Sequence, residues 1–180
     1  FNDKKYNYSY LPIYTLSKKN CLEWLKLISN EGNCKLVNMK IFHMFGENDS
    51  NNKFINKIII KIKKNNEDHI DLTDGIQKRD FIYVLDVVAA FVRVIKSFDK
   101  LNNKFYNFEV GTGRAISVKN AVKLIKDISK SNVKLRFGVL PKRKGEILLS
   151  CANNSALKEL GWNIEYSFEN AIKRIITKHK

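Results

Sequence analysis

The sequence predicts an α/β fold, and three observations carry that prediction. Apolar residues recur at helical spacing in some segments and crowd into short β-type runs in others, and the two kinds alternate along the chain. With 180 residues, 44% of them hydrophobic, the chain suits one domain, or one and a fraction, with a core of real size. The longest aliphatic run, Phe54 to Ile62, is interrupted by Asn56, Lys57 and Lys61, well short of the roughly 18 apolar residues a membrane helix needs.

The elements follow in order. Phe1 to Ile13 is aromatic and polar; Pro12 breaks regular structure, and Ser9, Tyr10 and Leu11 read as loop. Thr15 to Ser29 is a helix, with Leu16, Cys21, Leu22, Leu25 and Ile28 on one stripe that Trp24 and Leu27 widen. Asn30 to Asn33 stops it. Lys35 to His43 is a strand, 46–52 a polar loop, and Phe54 to Lys63 a helix. Short strands are expected at Ile70 to Leu72 and Asp80 to Val84, separated by the turn Thr73-Asp74-Gly75. Asp86 to Phe98 is an apolar helix, and Phe105 to Val110 a strand ending in Gly111-Thr112-Gly113. Ser117 caps a helix that runs to about Ile128. Val133 to Phe137 is a strand, 138–145 a basic loop with Pro141, and Asn154 to Leu160 and Phe168 to Ile176 are terminal helices divided by Gly161-Trp162.

A net charge of +15 raises the prospect of a polyanionic partner. The lysines are nevertheless spread along nearly the whole chain among many asparagines, with no compact Arg-rich tract and no Arg/aromatic alternation. A solvated basic surface is the plainer reading, ahead of a small anion held by a few specific cations or a nucleic-acid surface. Cys21, Cys34 and Cys151 lie far apart, which excludes a disulfide framework and a Cys-type zinc site and fits a reducing compartment, so a cytoplasmic protein is expected. Asp3, Lys4 and Lys5 stand where a secretory signal needs an apolar run. The first residue is Phe, and the chain is expected to be a portion of something longer.

Several short patterns could carry chemistry. Tyr14 and Lys18 form Tyr-x-x-x-Lys, whose spacing puts phenol and ammonium on one helix face. A nearby cation favours phenolate, which suits Tyr to acid/base work on an alcohol, although seven Tyr among so many Lys produce such a match by chance. Arg79 begins a strand and could fork onto a diphosphate, or simply pair with a carboxylate such as Asp80. Lys142-Arg143-Lys144-Gly145 could embrace a phosphate or be a solvated charge run. His43, at a strand end, reads as a packing residue rather than a metal ligand; His69 and His179 are isolated, and no metal site is expected. None of the eight glycines falls in a Gly-x-Gly-x-x-Gly dinucleotide turn.

The order of these patterns is more telling than any one of them. Tyr14…Lys18 precedes Lys40-Ile41-Phe42-His43-Met44-Phe45-Gly46. Leu72-Thr73-Asp74-Gly75-Ile76-Gln77-Lys78-Arg79-Asp80-Phe81-Ile82-Tyr83-Val84 and Asp86-Val87-Val88-Ala89 follow. Then come Tyr106 to Gly113, Arg143-Lys144-Gly145-Glu146 and Leu160-Gly161-Trp162. Over almost all of its length the chain resembles the C-terminal half of the NAD-dependent epimerase/dehydratases. These are extended short-chain dehydrogenase/reductases that modify nucleotide sugars. The wording from Thr73 to Phe81 is closest to the CDP-abequose and CDP-paratose synthase branch.

The resemblance implies the C-terminal part of a Rossmann-like parallel sheet plus a small substrate-binding α/β region, with the dinucleotide half upstream of Phe1. Residues 1–46 would belong to the Rossmann-like part and 47–180 mainly to the substrate region, with a return to the sheet around 76–98. Tyr14 would be the acid/base on the sugar hydroxyl, and Lys18 would hold the nicotinamide ribose and tune Tyr14; Phe42 would lie against the cofactor. His43, Asn52 and Lys53 would contact substrate, Arg79 its diphosphate and Arg143 the nucleotide phosphate. The cofactor would be NAD or NADP, its pyrophosphate held upstream, and the partners a nucleotide-diphosphate sugar and a second subunit in a homodimer, with no membrane. The sequence departs from the pattern where His43 replaces the usual Asn, Leu85 the first of two Asp, and Ala152-Asn153-Asn154 a helix-starting Asp. The alternatives are an inactive relative that binds a nucleotide or a protein and, less favoured, a nucleic-acid-binding module.

Overall fold

The computed structural model describes residues 12–64 and 68–178, so the loop expected at Ser9 to Leu11 and His179 lie outside the described residues. Helix α1 spans Pro12–Glu31. It begins at Pro12 rather than Thr15, because proline is pre-set for the first helical position, where no backbone donor is needed. Of its residues only Ser29 is buried, and its hydroxyl donates to Cys34 O at 2.9 Å and Lys104 O at 3.1 Å, tying the helix end to two other segments. The apolar side chains of α1, Trp24 among them, are largely exposed.

The strands pair mainly in parallel, as the alternating order predicts. β1 (Leu36–Ile41) runs parallel to β6 (Phe105–Val110), Leu36 opposite Phe105 and Ile41 opposite Val110. Same-register side chains meet across this pair: Asn38 Nδ2 donates to Asn107 Oδ1 at 2.6 Å, and Lys40 Nζ lies 2.9 Å from Glu109 Oε1. The single strand expected over 35–43 divides at Phe42. The Phe42 N–H still reaches Val110 O at 2.9 Å, and β2 (His43–Phe45) then leaves β6 to pair in parallel with β5 (Phe81–Tyr83). β3 (His69–Leu72) pairs in parallel with β8 (Lys134–Phe137). β4 (Lys78–Arg79) lies between antiparallel β7 (Ile116–Ser117) and parallel β9 (Leu149–Ser150).

The helices between them are α2 (Phe54–Lys64), α3 (Val84–Lys96), α4 (Val118–Ile128), α5 (Ser155–Glu159) and α6 (Phe168–Lys178), with a 3₁₀ turn at Phe98–Lys100. α3 starts two residues before the expected Asp86, directly on the end of β5. Two apolar clusters form. One gathers α2, α4 and α6 through residues such as Ile58, Ile125 and Ile172. The other gathers α3, β6 and α5 through Val87, Phe108, Leu157 and Trp162. β5 serves both, since successive side chains of a strand point to opposite faces: Phe81 and Tyr83 enter the first cluster and Ile82 the second. No helix among the described residues is long and apolar enough to cross a membrane.

Candidate functional site

Arg79 and Asp80 share the β4–β5 segment and do opposite jobs. Asp80 is completely buried. Its carboxylate accepts from Thr112 N at 2.8 Å, Thr112 Oγ1 at 2.5 Å, Gly113 N at 2.9 Å and Ala152 N at 3.1 Å. Its backbone accepts from His43 N at 3.1 Å and donates to Ser150 O at 2.9 Å. A charge this deep persists only when it is hydrogen-bonded all round, and Asp80 meets that condition by joining four chain segments. The surface Arg79–Asp80 pair considered from the sequence does not form.

Arg79 turns the other way, onto the basic loop. Its Nη1 donates to Ile147 O at 2.6 Å and Lys78 O at 3.0 Å, and its Nη2 to Glu146 Oε1 at 3.1 Å. The ion pair is mostly sheltered, the two side chains being 12% and 17% exposed. Glu146 N donates back to Arg143 O at 3.3 Å, closing the turn in which Gly145 has φ +71°. Arg79 thus fastens the loop that carries exposed Arg143, joining two segments far apart in sequence. Lys142 of the same loop reaches Asp74 at 2.7 Å and holds that carboxyl below its usual range.

His43 sits at the junction where the chain passes from the β1–β6 pair to β2–β5. Its Nε2 lies 3.2 Å from Ser150 Oγ, and its ring meets Phe81 edge-on with centroids 6.0 Å apart. Burial and the positive charge of Arg79 lower its pKa against the opposing pull of Asp80, so the imidazole is neutral at pH 7. His43, Arg79, Glu146 and Ser150 therefore form one neighbourhood at the ends of parallel strands, where ligands of α/β proteins are commonly held.

Tyr14 and Lys18 lie on exposed turns of α1, with Lys18 Nζ 5.6 Å from the centre of the Tyr14 ring. The helical spacing thus does bring the two together. Phe42 is half-buried, with Lys40 Nζ 5.2 Å from its ring centre. Asn52 and Lys53 are exposed in the turn before α2, their N–H groups donating to Ser50 Oγ and Ser50 O at 3.4 and 2.9 Å. No hydrogen bond, ion pair or ring contact joins any of these five predicted site side chains to His43 or Arg79. Among the described residues no group of three or more His, Cys, Asp or Glu is placed to hold a metal. Sequence reasoning missed Ser150 and the parts played by Asp80 and Glu146. Alternation on the strand was a usable signal for Asp80 and the Arg-Lys-Gly-Glu run for Glu146; nothing local marked Ser150.

Residues 3–111 match the model of the NAD dependent epimerase/dehydratase family, more than half of the chain. This chain belongs to that family. The epimerase/dehydratase assignment is reinforced by a CDP-abequose synthase of Salmonella muenchen, 37% identical over 178 residues, 98% of this chain and 59% of that protein. Among solved structures, a UDP-glucose 4-epimerase of Thermotoga maritima with UDP-glucose superposes with TM-score 0.80 and 25% identity, over 92% of this chain and 52% of that one. A UDP-N-acetylglucosamine 4-epimerase of Methanobrevibacter ruminantium shares the fold with TM-score 0.79 and 24% identity, over 98% of this chain and 57% of that one. The chain thus spans under two thirds of the length of each of these relatives.

The residues present fit one end of the family's cofactor. The Tyr14–Lys18 pair supplies a phenol and an ammonium on one exposed face, a donor set suited to a ribose and an adjoining alcohol. A glycine-rich turn for a pyrophosphate is not found in the 180 residues.

Proposed function

We propose that this chain is the acid/base and substrate-binding portion of an NAD(P)-dependent enzyme acting on a nucleoside-diphosphate sugar. The observation that supports the reading is the fastening of Arg79 to the turn that carries Arg143, which joins two segments that each bear a guanidinium, a group suited to a dianionic diphosphate. Arg79 would share its fork between Glu146 and a phosphate oxygen, and Arg143 would close from the exposed loop. Neutral His43, with Ser150, would hydrogen-bond a sugar hydroxyl, with Asn52 and Lys53 further along the substrate. Residues 1–46 would carry the acid/base helix and 47–180 mainly the substrate region, with segments around 76–98 returning to the Rossmann-like core.

NAD(P), when bound, accepts or returns a hydride at a sugar carbon. The chain's own part is to move the accompanying proton: Tyr14 takes it from the hydroxyl as the carbonyl forms and returns it later. Lys18 hydrogen-bonds the nicotinamide ribose, with Phe42 packed beside it. A cytoplasmic homodimer acting without a membrane or nucleic acid is the setting this reading implies.

The name of the Salmonella relative makes CDP the first ligand to test. Calorimetric titration of the 180-residue chain is expected to show saturable CDP or UDP binding, weakened at least about tenfold by Arg143→Ala. A folded chain that binds neither nucleotide overturns the reading. The chain alone, given NAD and a CDP-sugar, is expected to show no turnover; turnover would overturn the division of labour proposed here.

A further inference from the structure

A second cleft, of about 520 Å³, opens between the turn that follows β6 and the segment joining α5 to α6. Its lining includes Phe81, Arg114, Lys158, Glu165, Tyr166 and Phe168. Apart from the shared Phe81 ring, nothing in it belongs to the neighbourhood of His43, Arg79 and Arg143, and neither Tyr14 nor Lys18 lines it. Its size is that of a small-molecule site.

Three features make it more than a gap between loops. Both walls are nailed from behind by buried carboxylates. Asp80 holds the Thr112 and Gly113 amides on one side. Asp86, also buried, accepts from Glu165 N at 2.9 Å and Tyr166 N at 3.3 Å on the other, and its carbonyl accepts Trp162 Nε1 at 3.1 Å. The floor is aromatic and braced: Phe81 packs on Phe168 with centroids 5.4 Å apart, and Tyr166 on Tyr83 at 4.8 Å. The lining carries two cations, Arg114 and Lys158, against one carboxylate, Glu165. Arg79, Arg136 and Arg174 each face a carboxylate, whereas the Arg114 guanidinium and the Lys158 ammonium have no partner among the described residues.

We infer that this cleft is a binding site for a small organic anion carrying a flat ring, a carboxylate or phosphate ester of an aromatic group. The Arg114 fork and Lys158 meet the anion, the ring lies on the aromatic floor, and fixed walls spare the ligand the cost of ordering them.

The test is a titration of the 180-residue chain with phenyl phosphate, followed by amide chemical shifts, with inorganic phosphate in parallel. Saturable shifts are expected at Gly113, Arg114, Glu165 and Tyr166. Phenyl phosphate should bind at least about fivefold tighter than inorganic phosphate, and Arg114→Gln with Lys158→Gln should weaken it about tenfold while the remaining spectrum is preserved. Equal affinity for inorganic phosphate, shifts confined to the Arg143–Glu146 turn, no saturation, or an unaffected double variant in a preserved spectrum would each overturn the inference.

Discussion

Arg79 and Asp80 are adjacent in sequence and face opposite sides of one extended segment, the first toward the loop around Glu146 and the second into a set of backbone amides. Asp80→Asn keeps the shape but replaces one acceptor oxygen with a donor, facing N–H groups that need an acceptor. It should cost about 3 kcal/mol, read as a lower urea midpoint at unchanged slope; an unchanged midpoint would show that the hub is dispensable. His43 offers a second prediction. Burial and Arg79 hold its pKa down, so an anion placed on Arg79 must offset part of that push. Adding CDP should therefore raise the His43 pKa, seen by following the imidazole signals against pH; a fall or no change would place the nucleotide elsewhere. At this scale Tyr14, Lys18 and both arginines were visible as residue types. The partners of Arg79 and His43 were not, because Glu146 and Ser150 arrive from more than sixty positions away, through strand pairing that leaves no local trace.

At the scale of elements, the long periodic segments were legible and the shortest ones were not. Helices and six-residue strands repeat their pattern enough to be counted, but β4, β7 and β9 are two residues each and have no period to read. β4 and β9 exist because Lys78 N–H and Asp80 N–H bond Leu148 O and Ser150 O, and β7 because it pairs antiparallel with β4, all tertiary facts. The start of α4 shows how tightly such joints are built. Ser117 Oγ accepts from Asn120 N at 3.1 Å, and Gln77 O and Gly75 O accept from Val118 N and Lys119 N, each at 2.9 Å. Gly75 has φ +68°, and an added Cβ would stand 2.9 Å from Lys119 N. Gly75→Ala should cost more than the roughly 1 kcal/mol of the left-handed conformation alone, and Ser117→Ala about 1 kcal/mol, both measured by denaturant unfolding.

The loop after β2 is tied to α6 in a pH-dependent way. Burial resists ionisation of Glu47, but the Tyr83 hydroxyl at 2.6–2.7 Å, Lys178 and Arg174 outweigh it and hold the carboxyl below its ordinary 4.5. The same contact, with burial, pushes the Tyr83 hydroxyl up to about 12. A depressed carboxyl stabilises the fold fully above its unfolded pKa, and that contribution is lost as pH falls through the lower folded value. Glu47→Gln should therefore flatten part of the fall in Tm on acidification below about pH 4.5 while lowering Tm at neutral pH. A slope identical to that of the parent would remove Glu47 from the account.

Across the whole molecule, the two apolar clusters share β5, so the site at the end of that strand is braced from both sides. Other apolar faces are left open: Trp24, Leu27 and Ile28 on α1, and Val88, Val92 and Ile95 on α3, are exposed. Alternation and apolar content foretold the fold class, but periodicity could not say which apolar stripe faces water. The two tryptophans fall on opposite sides of that divide, Trp24 at 66% exposure and Trp162 at 2%. The protein consequently carries two optical probes in different surroundings. Iodide, drawn to a basic surface, should extinguish the red-shifted emission of Trp24 and spare the blue-shifted emission of Trp162. Whatever surface comes to rest on α1 would then announce itself, without a label, as light that iodide no longer removes.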